Sequence, residues 1–451
     1  MGQVGIMDMS FSNKNLLNNT NASIDSLSLP EINLPVMDAL LEKAFIDGKR
    51  DIFKKTAIYY VHHPLQTSIN VIDALIRLGA KPKNIFILGK RYSECEAVVA
   101  ALINKGVHYQ PCSLQTNIGR YSYSFIRDIN WLWAAMVEHI KREDVEEVLI
   151  LDHGGHAIAF VPLMSLKQYK ILGIEKTTAG FINSEKHGIP PIPIIDVANS
   201  AAKRFLESPL IAEAVVNKIV SYLPENINDF IFGVVGLGSI GEAVANRLRS
   251  LGCKLIVHDI NPEKLRPIQG KPNILCTHDL TALIAESDYI FGCSGRDISE
   301  GRLEQFRLSS SNKVLISCSS EDKEYLSLLH MINQYSPKQH EPLDDIDYQT
   351  ELGATIHLLR GGFPVNFDHS GESVPANDIQ LTRSLVLAAV LQASEYFKSP
   401  EIKNGVYALD SAYQRFVINE WLKYQDTSDI QPEELFNLLN EDWISLHSNG
   451  L

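Results

Sequence analysis

Six residues, Gly236-Leu237-Gly238-Ser239-Ile240-Gly241, constrain the fold of this chain more than any others. A G-x-G-x-x-G run alone is a weak signal. Here the apolar run Phe230–Val235 precedes it and a helical pattern beginning Glu242-Ala-Val-Ala follows it. A second apolar run, LIVHD, then ends at Asp259, 18 residues beyond Gly241. Strand, glycine turn, helix, strand and acidic end form the unit that holds a dinucleotide. Gly236 permits the tight turn, Gly238 lets the backbone approach a pyrophosphate, and Gly241 allows the helix to pack closely on the strand. Ser239 and Ile240 open the helix, where free N–H groups and the positive end of the helix dipole meet phosphate charge. Asp259 accepts from an adenosine ribose and repels a 2′-phosphate, so the expected cofactor is NAD.

The surrounding pattern extends this into a fold class. From about residue 50, apolar runs at 57–61, 84–89, 145–151 and 192–196 alternate with helical stretches such as 66–79 and 123–141. A second alternating unit runs from about 229 to 365, and long helical patterns cover 199–223, which Pro209 is expected to kink or divide, and 377–397. Such alternation predicts parallel sheets covered on both faces. The expected architecture is α/β: two doubly wound lobes, with a Rossmann NAD-binding domain inserted in a substrate-binding domain. The expected divisions are a mobile leader over 1–45, rich in Asn and Ser, a first substrate-domain part over 46–205 and an NAD domain over 222–365. A return helix over 366–400 and a C-terminal segment over 401–451 complete the chain.

Composition narrows the function classes. The 451 residues carry 41 Lys+Arg against 54 Asp+Glu, a formal charge of −13, which argues against a nucleic-acid partner. Apolar runs stay below the ~18 residues of a membrane span, and no secretory signal is seen, so a cytoplasmic protein is expected. The six cysteines show no C-x-x-C spacing. His153 and His156 stand three apart without further ligands in view, so no metal is expected.

The blocks Ile150-Leu151-Asp152-His153-Gly154-Gly155, Gly173-Ile174-Glu175-Lys176-Thr177-Thr178-Ala179-Gly180 and Pro193–Lys203, the glycine fingerprint, and Val365-Asn366 follow in order. Together they resemble the S-adenosylhomocysteine hydrolase family from about residue 55 to 400. That family oxidises a ribose hydroxyl with tightly held NAD, removes the acidified neighbouring proton, expels a thiol, adds water and returns the hydride. The resemblance implies a nucleoside-like small-molecule substrate and a homo-oligomer, dimer or tetramer. It places the lysine that assists hydroxyl oxidation on Lys203, its neighbouring acid on Glu207, and the ribose-proximal histidine on His63. It places nicotinamide contacts on Thr177, Thr178 and Asn366, and substrate contacts on Asp152 and the position of Lys176.

The departures fall at the chemistry. The family's acid/base Asp is His153 here, and its substrate-binding Glu is Lys176. Lysine donates where glutamate accepts, which suits an anionic ligand. A histidine can still serve as a base near neutral pH. The reading is therefore an NAD-dependent enzyme that oxidises a sugar hydroxyl of a nucleoside-like substrate with non-standard acid/base residues. The alternatives are an inactive NAD-binding paralogue with a regulatory role and a D-2-hydroxyacid-type dehydrogenase. The dehydrogenases share the lobe order, but the chain shows no Arg/Glu/His signature of theirs.

Overall fold

Two seven-stranded sheets organise the molecule. The computed structural model describes residues 29–114, 121–185 (side chains only to 181), 191–223, 225–335, 340–399 and 402–425. In chain order the first sheet holds β1 (Thr56–His62), β2 (Ile85–Gly89), β3 (His108–Pro111), β4 (Glu147–Asp152), β5 (Lys170–Glu175) and β6 (Pro193–Asp196). The second holds β7 (Ile231–Val235), β8 (Lys254–His258), β9 (Ile274–Thr277), β10 (Tyr289–Gly292), β11 (Lys313–Ser317), β12 (Ile346–Gln349) and β13 (Thr355–Leu358). A last strand, β14 (Gly405–Ala408), returns to the edge of the first sheet beside β6.

The first sheet has the order β14-β6-β5-β4-β1-β2-β3 with every pairing parallel. The chain leaves β1 toward β2 and β3, then resumes at β4 on the other side. The strand order thus reverses between β1 and β4. The second sheet, β12-β13-β11-β10-β7-β8-β9, reverses between β7 and β10, and its only antiparallel pairing is β12 with β13. Ligands of doubly wound sheets bind outside the carboxyl ends of the strands at these reversals. The α/β two-lobe architecture read from the sequence is the one observed.

Continuous apolar strands explain the burial. All seven residues of β1 and all five of β2 are buried, as strands covered on both faces require. One face of the first sheet packs on the helices Pro35–Ile46, Gln66–Arg77, Ala376–Lys398 and Ser411–Leu422. Its other face packs on the helix Tyr121–Ile140, joined by Phe363 from the segment that leaves β13.

One expectation is corrected and one is made specific. The leader expected over 1–45 lies outside the described residues as far as residue 28, but Pro35–Ile46 is a helix. Val36, Met37, Leu40, Leu41 and Ala44 are buried, and Val36 N–H donates to the buried Gln380 Oε1 at 3.1 Å. Proline at the first helical turn starts this helix, because its missing N–H has no intrahelical partner there in any case. The helical pattern over 199–223, expected to be kinked or divided at Pro209, is divided: it passes through a π turn, Lys203–Glu207, into the helix Ser208–Lys218. Pro209 cannot donate to the preceding turn, and the ladder widens just before it.

Replacing Leu40, which is fully buried, tests the correction. Leu40→Ala lowers unfolding free energy by about 2–5 kcal/mol in urea titrations if the helix is part of the core, and by nothing if it is a mobile leader.

Candidate functional site

The reversal between β1 and β4 brings two of the sequence-predicted residues into contact. His63 follows β1 and His153 follows β4, and their Nε2 atoms lie 3.2 Å apart. The hydrogen bonds fix their tautomers. Ser93 Oγ donates to Lys90 O at 2.8 Å, so at 2.7 Å it accepts from His63 Nδ1–H. His63 Nε2 therefore carries the lone pair, His153 Nε2–H donates to it, and His153 Nδ1 remains unprotonated. Phe367, from the segment entering the return helix, stacks on His63 with ring centroids 4.4 Å apart. Its neighbour Asn366 is buried.

The loops around this pair hang on one carboxylate that the sequence reading gave no role. Glu175, at the end of β5, accepts from Gly154 N–H (3.2 Å), Gly155 N–H (2.8 Å), Thr177 N–H (2.7 Å) and Thr177 Oγ–H (2.6 Å). Thr177 Oγ in turn accepts from Gly180 N–H at 3.1 Å. Gly155 adopts φ +72°, and a Cβ there would sit 2.5 Å from Gly180 O. Asp152 is likewise held inward: its oxygens accept from His153 N–H (2.7 Å) and Ile158 N–H (2.9 Å). Thr177 and Asp152, expected on the cofactor and the substrate, thus shape the loops in this structure, while Thr178 is exposed.

Cations surround the histidines. Lys176 is buried, donates to Val61 O at 3.2 Å and stands 4.5 Å above the Tyr60 ring. His62 stacks on the same ring at 4.7 Å. Lys90, directly after β2, is fully buried, and its Nζ has no hydrogen-bond partner among the described residues. Burial first, and neighbouring cations second, holds His62, His63 and His153 well below the ordinary histidine range; Lys176 leads among the cations at His62 and Lys90 at the other two. The dyad is therefore neutral. Across the cleft, Glu321 Oε1 faces His156 Nε2 at 3.6 Å. Burial opposes its ionisation, yet Lys323 and His156 hold its carboxyl well below the usual carboxylate range. Lys203 contacts Glu207 within the π turn, so this predicted pair does meet.

The second reversal forms the glycine cradle. Gly236 has φ +91°, and a Cβ there would come within 2.7 Å of Ser294 Cα, after β10. A Cβ on Gly241 would meet Gly236 O at 1.8 Å, whereas Gly238 faces open space, as a backbone that receives a pyrophosphate must. Ser239 and Ile240 begin the helix Ser239–Ser250. Asp259 accepts from Leu237 N–H (2.6 Å) and Asn261 N–H (2.8 Å), and each oxygen keeps a lone pair for a ribose hydroxyl.

Comparison with known proteins agrees with this geometry. Residues 213–297 match the NAD-binding domain of the D-isomer-specific 2-hydroxyacid dehydrogenases. The second lobe binds NAD. The chain is 29% identical over 367 residues to an uncharacterised protein of Mycobacterium tuberculosis, covering 81% of this chain and 68% of that one. It is 23% identical over 407 residues to an S-inosyl-L-homocysteine hydrolase of Methanopyrus kandleri, covering 85% and 86%. It is 26% identical over 271 residues to an adenosylhomocysteinase of Thermococcus kodakarensis, covering 57% and 61%. Among the described residues no helix is long and apolar enough to cross a membrane.

Two measurements check the site. Gly241→Ala forces the helix away from the Gly236 carbonyl, so acid extraction recovers at least about tenfold less bound NAD than from the parent. The neutral histidines give a pH signature. An unfolded histidine takes up a proton below about pH 6.5 that the native one refuses, so unfolding free energy falls as pH drops through that value. Each histidine contributes up to about 1.4 kcal/mol per pH unit, and His62→Gln or His63→Gln reduces the slope by that amount in urea titrations.

Proposed function

We propose that this protein is an NAD-dependent enzyme that oxidises a sugar hydroxyl of a nucleoside-like substrate, with the His63–His153 dyad as its acid/base group. The observation that carries the reading is the dyad itself: two neutral imidazoles 3.2 Å apart, at the strand reversal of one lobe, under Phe367 of the segment returning from the NAD lobe. The relatives named for hydrolysis of nucleosidyl-homocysteines support the substrate class.

The NAD lobe would hold the cofactor by the backbone amides of Gly238, Ser239 and Ile240 and by Asp259, with Asn366 and Thr178 toward the nicotinamide. NAD, when bound, accepts a hydride from the substrate carbon. Lys203, held by Glu207, would as the neutral amine accept the hydroxyl proton and pass it to the Glu207 carboxylate. His153 Nδ1 bears the free lone pair and would take the carbon-bound proton. The resulting imidazolium keeps its hydrogen bond to His63 Nε2, and the line through Ser93 to Lys90 O holds the orientation. A histidine in place of the family's carboxylate leaves base strength near neutrality.

One observation favours a second reading, an NAD-binding regulatory subunit without turnover: Lys176 occupies the place of the resembled family's substrate-binding glutamate and donates to Val61 O. Turnover separates the two. NAD-loaded protein mixed with nucleosides, S-adenosylhomocysteine and S-inosylhomocysteine should develop reduced-NAD absorbance or release a thiol. His153→Gln and Lys203→Met should each lower kcat by about 10²–10⁴-fold with NAD still bound. No product from any of these substrates in protein shown to carry NAD favours the regulatory reading.

A further inference from the structure

Two basic side chains at the first lobe's strand ends, Lys90 and Lys176, and Arg383 from the helix Ala376–Lys398 are buried with no carboxylate hydrogen-bonded to any of them among the described residues, and burial holds both lysines below the ordinary lysine range, Lys176 well below it. Lys90 is 0% exposed, Lys176 4% and Arg383 8%. Burying an ammonium costs stability unless hydrogen bonds replace its water. Lys90 Nζ has none among the described residues, and Lys176 Nζ makes only the bond to Val61 O. Arg383 Nε donates to Thr67 Oγ at 2.9 Å, and Thr67 donates onward to Glu372, so the nearest carboxylate there is held one residue away. Three buried carboxylates stand near the lysines, and each is engaged elsewhere: Asp152 by two backbone amides, Glu175 by three and a hydroxyl, and Glu321, the leading opposite charge at Lys90, by Lys323 Nζ at 3.1 Å and His156 Nε2 at 3.6 Å.

These groups share one place. A Cβ on Gly154, next to His153, would lie 3.7 Å from Lys90 Nζ. Lys176 and His62 both stand against the Tyr60 ring, and neither His62 nitrogen has a partner. Both lysines act electrostatically on each ring of the dyad. The unused capacity is therefore donor capacity on cations, and its complement is an anionic group with several acceptor oxygens.

We infer that Lys90 and Lys176, backed by Arg383 and His62, form an anion subsite that holds a carboxylate or phosphate group of the substrate beside the His63–His153 dyad. The subsite rests on the proposed function only in calling its ligand the substrate. It narrows the substrate class to nucleoside-like molecules that bear such a group.

The experiment is calorimetric titration of the full-length chain, its bound NAD first measured by acid extraction, with inorganic phosphate and separately with malonate. The expected result is binding of at least one probe, weakened about tenfold or more in Lys90→Met and in Lys176→Met, the loss of one charge-assisted contact. Lys176→Arg keeps binding. Lys90→Met melts at the same temperature as the parent or higher in anion-free buffer, since it replaces a buried amine that has no hydrogen bond by an apolar chain of similar volume, while Glu321 keeps Lys323 and His156. That result also shows that the variant folds. Binding of phosphate alone assigns a phosphate ester and binding of malonate alone a carboxylate. The subsite is overturned if neither probe binds the parent, or if both Met variants bind as the parent does. A chain without NAD that binds phosphate through Lys176 sinks the enzyme reading and leaves the subsite standing. A chain that turns over nucleosides with both Met variants fully active sinks the subsite and leaves the enzyme reading.

Discussion

The site depends on the buried carboxylate of Glu175. Four donors from two loops converge on it, and they come from the turn after β4 and the turn after β5. Those turns carry His153 and Lys176, so one side chain sets where the candidate base and a candidate anion ligand stand. The packing leaves no slack: a Cβ on Gly180 would fall 2.2 Å from Glu175 Cδ. Such convergence is expensive to disturb, because removing the acceptor would leave three backbone N–H groups unpaired in the interior, each costing about 1–3 kcal/mol.

The strand reversal explains why the polar groups gather here at all. Parallel strands covered on both faces must be apolar along their length, and β1 and β4 are so. Chemistry is then confined to the carboxyl ends and the first residues past them: His62 and His63 at β1, Lys90 after β2, Asp152 and His153 at β4, Glu175 and Lys176 at β5. Where the order reverses, helices leave on opposite faces and the loops part to form a crevice. Residues about ninety positions apart meet across it at 3.2 Å.

This geometry also shows what was legible in the sequence. Strands flanking each reversal read as apolar runs because burial on both faces leaves no other composition, and the glycine fingerprint read correctly because steric rules dictate its residues. The edge strands β3, β9, β12 and β14 (HYQP, ILCT, IDYQ, GVYA) lack such runs, since an edge needs no two-sided burial. The helix Pro35–Ile46 was hidden by the Asn- and Ser-rich stretch before it. Lys90 and Arg383 gave no local signal: one is a lysine after a strand, the other an arginine within a helical pattern. Their burial is a tertiary fact, as are the hydrogen bonds from Thr177 to Glu175.

His153 and Lys176, which stand where the resembled family carries acids, read differently once placed in the fold. A charged carboxylate at either position would pair with Lys90 or Lys176 and consume the donors that the crevice presents. A neutral histidine does not. Its base strength also depends on the same cations, which together with burial hold the imidazoles below their ordinary range. An anion arriving between Lys90 and Lys176 would offset that positive potential and raise the basicity of His153 as it binds. Substrate binding and activation of the base would then be one electrostatic event. The buried Lys90, whose Nζ has no hydrogen bond among the described residues, is the group through which that coupling would act.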